Sequence, residues 1–287
     1  MFQLLTLTFS IKKWATFLQI SIAVLDASVA LHAQQGNREL AGIAHTAIRV
    51  GDLERSRKFY ERLGFQEAFS RERGGVPTES FFKVNDRQFI ELYPRSSATQ
   101  AIGFMHICFE SDALQVLRDT YAGQGLKPIQ VRRAGAGNLL FTMEGPEKQN
   151  IEFTQYMPGS MHTEDRGKHL SADRVADRIF AVGIPMKDAG AARAFYEDKM
   201  AFAVAKAPRR SLRKDHQWLN LPGPSGQMIA FVEKLPADAF ELILDTPDLR
   251  AARAALTVKG LHPQTAGQTI TVLDPDGNRI MIVGRAG

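Results

Sequence analysis

The sequence predicts an α+β chain of four copies of one unit, a strand, an amphipathic helix and then further strands, grouped as two modules within 287 residues. Three observations predict it. Four strand-like segments each hold one metal-type side chain between apolar neighbours: Ala44-His45-Thr46, Ile90-Glu91-Leu92, Met105-His106-Ile107 and Ile151-Glu152-Phe153. The interval from His45 to Glu91 is 46 positions, and that from His106 to Glu152 is also 46. Whole segments then recur further on: Asp188, Phe195 and Tyr196 follow Asp52, Phe59 and Tyr60 by 136 positions, and Gly260-Leu261-His262-Pro263 follows Gly125-Leu126-Lys127-Pro128 by 135. Repetition at fixed spacing is the mark of an internal repeat.

The first unit runs from Ile43 to Tyr93. Its helix opens at Asp52 as N-cap, carries Leu53, Phe59, Tyr60 and Leu63, and ends at Gly64. The second unit runs from Phe104 to Tyr156, with a helix near Asp112 to Ala122. The third repeats the first, so that Gln227-Met228-Ile229 echoes Gln88-Phe89-Ile90. The fourth repeats the second and has a hairpin turn at Asp274-Pro275-Asp276-Gly277-Asn278.

Successive strand side chains point to opposite faces, so where apolar residues flank a His or Glu they pack one way while it faces a cavity. A buried, unpaired carboxylate there is costly. Two Glu and two His around one divalent cation remove that cost, since the ion neutralises the carboxylates and neutral imidazoles donate to it.

Composition is that of an ordinary soluble globular chain, 44% hydrophobic and 23% charged, long enough for two moderate domains. The formal charge of +5 is spread along the chain apart from Pro208 to Lys214, a basic run without interleaved aromatic residues, which reads as a solvated loop and argues against nucleic-acid binding. Lys12 and Lys13 before the apolar stretch Trp14 to Leu25, and Leu31-His32-Ala33 before Gln34, predict a signal peptide over residues 1–33, with an uncleaved membrane-tethering helix as the alternative. The expected location is periplasmic or secreted, with no stable membrane insertion after cleavage. Cys108 is the only cysteine, so no intrachain disulfide forms, and it reads as a small cavity-wall residue.

The stretches HTAIRVGDLERSRKFYERLGF, QFIELYP, GFMHICFES, QNIEF and DPDGNRIMI resemble the vicinal oxygen chelate superfamily from about residue 40 to the end. That resemblance implies βαβββ units paired into open cups. It also implies a metal set of His45, Glu91, His106 and Glu152, most like glyoxalase I, holding one divalent ion among Zn, Ni, Co, Mn or Fe. Ala181, Ala230, Glu241 and Met281 stand at the matching positions of the second half, so one metal per chain is expected. The domain reading is a metal-binding module at 41–157, a linker at 158–176 and a degenerate module at 177–287.

The first functional expectation is a glyoxalase I-like lyase or isomerase acting through an enediolate on a small oxygen-rich substrate. Glu152 is the first candidate for proton transfer and Glu91 the second, with Arg49, Tyr93 and Tyr156 as substrate contacts. Arg49 matches a glutathione-binding arginine of glyoxalase I, whereas Arg95 stands where that enzyme has an asparagine. The alternatives are an extradiol ring-cleavage dioxygenase, with His162 or His169 as acid-base candidates, and a non-enzymatic binder of the bleomycin-resistance kind. A monomer or homodimer is expected.

Overall fold

The computed structural model describes residues 40–208, 212–233 and 239–285. The expected signal peptide and Arg209 to Ser211 of the basic run lie outside these residues. No helix among the described residues is long and apolar enough to cross a membrane.

Two eight-stranded sheets make up the fold. The first comprises β1 (Gly42–Val50), β2 (Gln66–Arg73), β3 (Val76–Asn85), β4 (Gln88–Pro94), β5 (Gly103–Glu110), β6 (Arg132–Arg133), β7 (Leu139–Glu144) and β8 (Asn150–Gln155). The second comprises β9 (Arg178–Pro185), β10 (Ala203–Ala205), β11 (Gln217–Asn220), β12 (Met228–Val232), β13 (Glu241–Thr246), β14 (Gln264–Ala266), β15 (Thr269–Leu273) and β16 (Arg279–Gly284). Their spatial orders are β2-β3-β4-β1-β5-β8-β7-β6 and β10-β11-β12-β9-β13-β16-β15-β14, one order used twice. Each sheet is therefore two strand-helix-strand units joined at a central antiparallel pair, β1 with β5 and β9 with β13. This is the paired vicinal oxygen chelate architecture.

The helices α1 (Leu53–Arg62), α2 (Leu114–Gly123), α3 (Met161–Glu164), α4 (Ala189–Met200) and α5 (Leu249–Val258) follow from local signals. Asp52 caps α1 and Asp188 caps α4, each side chain accepting a bond from the backbone N–H three residues on. Gly64, at φ 85°, ends the first. Asp112 does not open α2; the N-cap is Ala113, without a side-chain bond, so that helix starts two residues later than expected.

One apolar core joins the modules, running from Ile43, Tyr60 and Phe153 to Val182, Tyr196 and Leu242. Two glutamines staple the seam with the repeat's own symmetry. Gln88 Oε1 accepts from the Ile179 N–H and Gln227 Oε1 from the Ile43 N–H, both at 2.9 Å. Each satisfies a buried backbone donor of the other module.

The register also aligns the halves residue by residue. His45 faces Phe89 across the β1–β4 ladder and Cys108 across the β1–β5 ladder, while Ala181 faces Met228 and Ile243 in the same places. Cys108 in turn faces Glu152, and Ile243 faces Met281. His45, Glu91, His106 and Glu152 thus correspond to Ala181, Ala230, Glu241 and Met281. The consequence is chemical. In the second module this face is packed with Phe180, Ala181, Trp218, Met228, Ala230, Ile243 and Met281, an apolar plug. Glu241, its one acid at a ligand position, accepts a bond from His216 at 2.9 Å.

Candidate metal centre

The corresponding face of the first sheet is polar and hollow. A cavity of about 160 Å³ is lined by His45, Glu91, Tyr93, Glu152, Tyr156 and His162 at its deeper part, with Arg71, Glu79 and Arg132 among its other walls. Ala47 stands opposite both Glu91 and His106 in the ladders, and its methyl group is too small to fill the space between them.

Three ligand atoms converge beside this cavity, which His45 and Glu152 line and His106 backs from behind His45 without lining it. His45 Nε2 lies 3.1 Å from His106 Nε2 and 3.4 Å from Glu152 Oε1. Metal bonds of about 2.1 Å at right angles place ligand atoms about 3.0 Å apart, so the donor set and its spacing both fit one cation shared by two imidazoles and a carboxylate. Among the described residues it is the one group of His, Cys, Asp or Glu so arranged.

Glu91 does not converge with them. Its Oε1 lies 3.3 Å from the other ring nitrogen of His45, Nδ1, in contact but without the geometry of a hydrogen bond, and its Oε2 accepts from the Tyr93 hydroxyl at 3.0 Å. Of the four side chains expected as ligands, three face a common point and the fourth stands behind one of them. A carboxylate at that place fixes a ligating imidazole's tautomer and raises its basicity.

The two carboxyls differ in charge state. Burial pushes Glu91 up to about 7, against the pull of His45. Burial acts to raise Glu152 too, but bonding to His45 and the charges of His106 and His45 outweigh it and hold the carboxyl down at about 2. Burial also pushes His106 down to about 4, leaving it neutral as a metal ligand must be. Paired carboxyls driven apart in this way are suited to different tasks.

Tyr93 and Tyr156, expected as substrate contacts, line the cavity, the latter donating to the Arg87 carbonyl at 2.9 Å. Arg49 does not line it. Four strand residues carry it about 13 Å beyond His45, to the strand end, where its guanidinium donates to the Ala101 carbonyl. Cys108 is buried opposite His45 and Glu152 on neighbouring strands, and it does not line the cavity, contrary to its reading as a wall residue.

His162 is brought to the wall by α3. Asn138 Oδ1 accepts from the Met157 N–H, which turns the amide so that Nδ2 donates to His162 Nδ1 at 2.9 Å. Burial pushes that imidazole down to about 3, so it is neutral, with its ring among Phe69, Phe81, Phe89 and Tyr156. A buried Lys83–Asp165 pair at 2.8 Å ties its segment to β3. His169 also bonds Asp165, at 2.5 Å, and is not part of the cavity wall.

Nothing in the sequence marked Arg71, Glu79 or Arg132. They sit on or beside the edges of the sheet, where only curling brings Arg71 and Arg132, 61 positions apart, to one opening.

Comparison with known proteins agrees with this architecture. Residues 42–153 match the model of the Glyoxalase/Bleomycin resistance protein/Dioxygenase superfamily. No curated protein matches the chain. Among solved structures it is similar in fold to the 2,3-dioxygenase LapB from Pseudomonas sp. KL28, with a TM-score of 0.64 and 17% identity over 87% of this chain and 93% of that one. A variant of homoprotocatechuate 2,3-dioxygenase from B. fuscum gives 0.63 and 16% over 87% and 72%, and the enzyme from Arthrobacter globiformis gives 0.59 and 17% over 86% and 80%. With the strand order, the register and the first module's match all in agreement, residues 42–153 form a domain of the Glyoxalase/Bleomycin resistance protein/Dioxygenase superfamily.

Proposed function

We propose that this chain is a metal-dependent enzyme that cleaves a small aromatic vicinal diol, an extradiol-type dioxygenase whose metal is held by His45, His106 and Glu152 in the first module. The observation that carries the reading is the convergence of two imidazoles and one carboxylate beside a cavity with the fourth acid set behind His45. Two histidines and one carboxylate on one face leave the remaining positions open, a donor set suited to Fe(II) oxygen chemistry. When bound, such an ion supplies Lewis acidity toward two adjacent substrate oxygens and one-electron chemistry toward dioxygen.

The protein's own groups have separable tasks. Glu91, on the cavity wall beside His45, is placed to take a proton from a substrate hydroxyl, and the Tyr93 hydroxyl holds its carboxylate in place. Glu152, held ionised, serves as ligand. This assigns proton transfer to Glu91 ahead of Glu152. Phe81, Leu140 and Tyr156 shape a wall that excludes water from one side of the ring. The cavity, about 160 Å³ and open to solvent on one side, has room for a benzene-sized ring, which an enclosed cavity of about 150 Å³ accommodates. A glutathione adduct is several times larger. The glyoxalase I-like reading keeps one supporting observation, a fourth carboxylate within the cavity wall.

The test is anaerobic reconstitution with Fe(II), then oxygen uptake on a panel of catechols, beside Ni- and Zn-loaded protein offered hemithioacetals. Ring cleavage with Fe(II) is expected, with Glu91→Gln retaining metal and losing about 100-fold in kcat while Glu152→Gln loses the metal. Turnover of hemithioacetals alone would return the reading to glyoxalase-like isomerisation, and metal binding without turnover on either would return it to a binder.

A further inference from the structure

The cavity mouth carries two guanidinium groups that the metal-binding face does not use. They come from opposite edges of the first sheet, Arg71 from β2 and Arg132 from β6. The two edges meet. A Cβ built on Gly135, just beyond β6, would stand 2.1 Å from Arg71 Nη2 and 2.2 Å from its Cζ, so the guanidinium occupies the space that any other residue's side chain would need. Glu79, the cross-strand partner of Arg71, accepts from Nη1 at 2.7 Å and fixes the group from the other side.

Charge at the mouth is unbalanced. Glu79 neutralises Arg71, but among the described residues the Arg132 guanidinium has no acidic or hydrogen-bonding partner, whereas neighbouring Arg133 donates to the Gly137 carbonyl at 2.7 Å. Arg132 faces Leu140 across the β6–β7 ladder, and Leu140 faces Thr154, two residues beyond Glu152. One cross-strand row therefore leads from the metal-binding strand to the free cation. A planar guanidinium presents paired donors that match a carboxylate.

We propose that Arg71 and Arg132 form a carboxylate receptor at the cavity mouth, so that the substrate carries vicinal oxygens at one end and a carboxylate at the other. This rests on the metal reading above, and the probes are chosen to separate the two. They are 3,4-dihydroxybenzoate and its methyl ester, which share the diol and differ in the carboxylate charge. Binding of each to Co(II)-loaded protein is measured by calorimetry, with unfolding curves to verify each variant's fold.

The acid is expected to bind at least about tenfold tighter than the ester, as a charged hydrogen-bonding group gained at the mouth. Arg132→Gln and Gly135→Ala should each remove most of that preference and leave ester affinity unchanged. Arg132 is exposed, and the clash in Gly135→Ala falls on the end of a flexible side chain, so both variants should fold as the parent does. Equal binding of acid and ester by the parent protein, or a preference intact in both variants, would overturn the receptor and leave the metal reading standing. Failure of both probes to bind would overturn both.

Discussion

Replacing Glu91 by Gln should stabilise the metal-free protein at alkaline pH and do little at acid pH. The carboxyl is 3% exposed, and burial carries it from an ordinary 4.5 up to about 7. At ~1.4 kcal/mol per pH unit that displacement corresponds to about 3 kcal/mol, an upper figure for the pH-dependent part. The sign follows from proton counting. The folded chain holds this proton more tightly than the unfolded chain, so the group's contribution to stability falls as pH rises from about 4.5 to about 7, and the full penalty persists above that. His45, raised by Glu91 and Glu152 against the lowering effect of burial, runs in the same direction. His106 and His162, pushed down by burial to about 4 and about 3, run the opposite way: they are neutral when folded, and their penalty fades as pH climbs toward 6.5. The raw pH profile therefore mixes both signs, whereas the difference between variant and parent reports Glu91 together with the part of the His45 shift that Glu91 causes, and these two run in the same direction. Urea unfolding in EDTA at pH 5 and pH 8 measures it. The variant should gain most of about 3 kcal/mol relative to the parent between those two values. An equal difference at both pH values would refute the claim that Glu91 is a desolvated acid of raised pKa.

Two further outcomes bear on the metal and the N-terminus. Metal analysis after dialysis against a divalent ion should give close to one ion per chain, with His106→Ala losing most of it and Glu241→Ala none, because Glu241 is engaged by His216 and faces no second donor set among the described residues; two ions per chain, or unchanged metal in the His106 variant, would contradict this. N-terminal sequencing of native protein should begin near Gln34, as the Leu31-His32-Ala33 site implies, and a chain beginning at Met1 would remove the expectation of export.

The repeat was legible because backbone and side chain obey one period. A helix N-cap such as Asp52 or Asp188 and a glutamine staple such as Gln88 or Gln227 recur at the same place in each module, so local sequence carries topology directly. The ligand strands were legible for the same reason: an acid or imidazole between apolar neighbours is anomalous wherever it occurs. Adjacency along a strand does not give distance from a point, however. Arg49 shares a strand with His45, and its displacement along the strand takes it out of the cavity. Nor does a ligand-type residue at a ligand position settle which atom it faces, as Glu91 shows by meeting Nδ1 rather than the point shared by the other three.

The edges were illegible for a different reason. Arg71 and Arg132 lie at opposite ends of an eight-strand order, and only accumulated twist and curl bring those edges together. No window of sequence contains that closure. The glycine at 135 records it, since its missing side chain leaves the space that the Arg71 guanidinium fills, but it does so only once both edges are in view. The two modules fill the same curled face in opposite ways. One register and one strand order support a polar cavity where His45, Glu91, His106 and Glu152 stand, and an apolar plug where Ala181, Ala230 and Met281 replace three of them. The fold is therefore indifferent to the chemistry, and a handful of substitutions on one face separate a cup with a candidate metal set from one filled with apolar side chains.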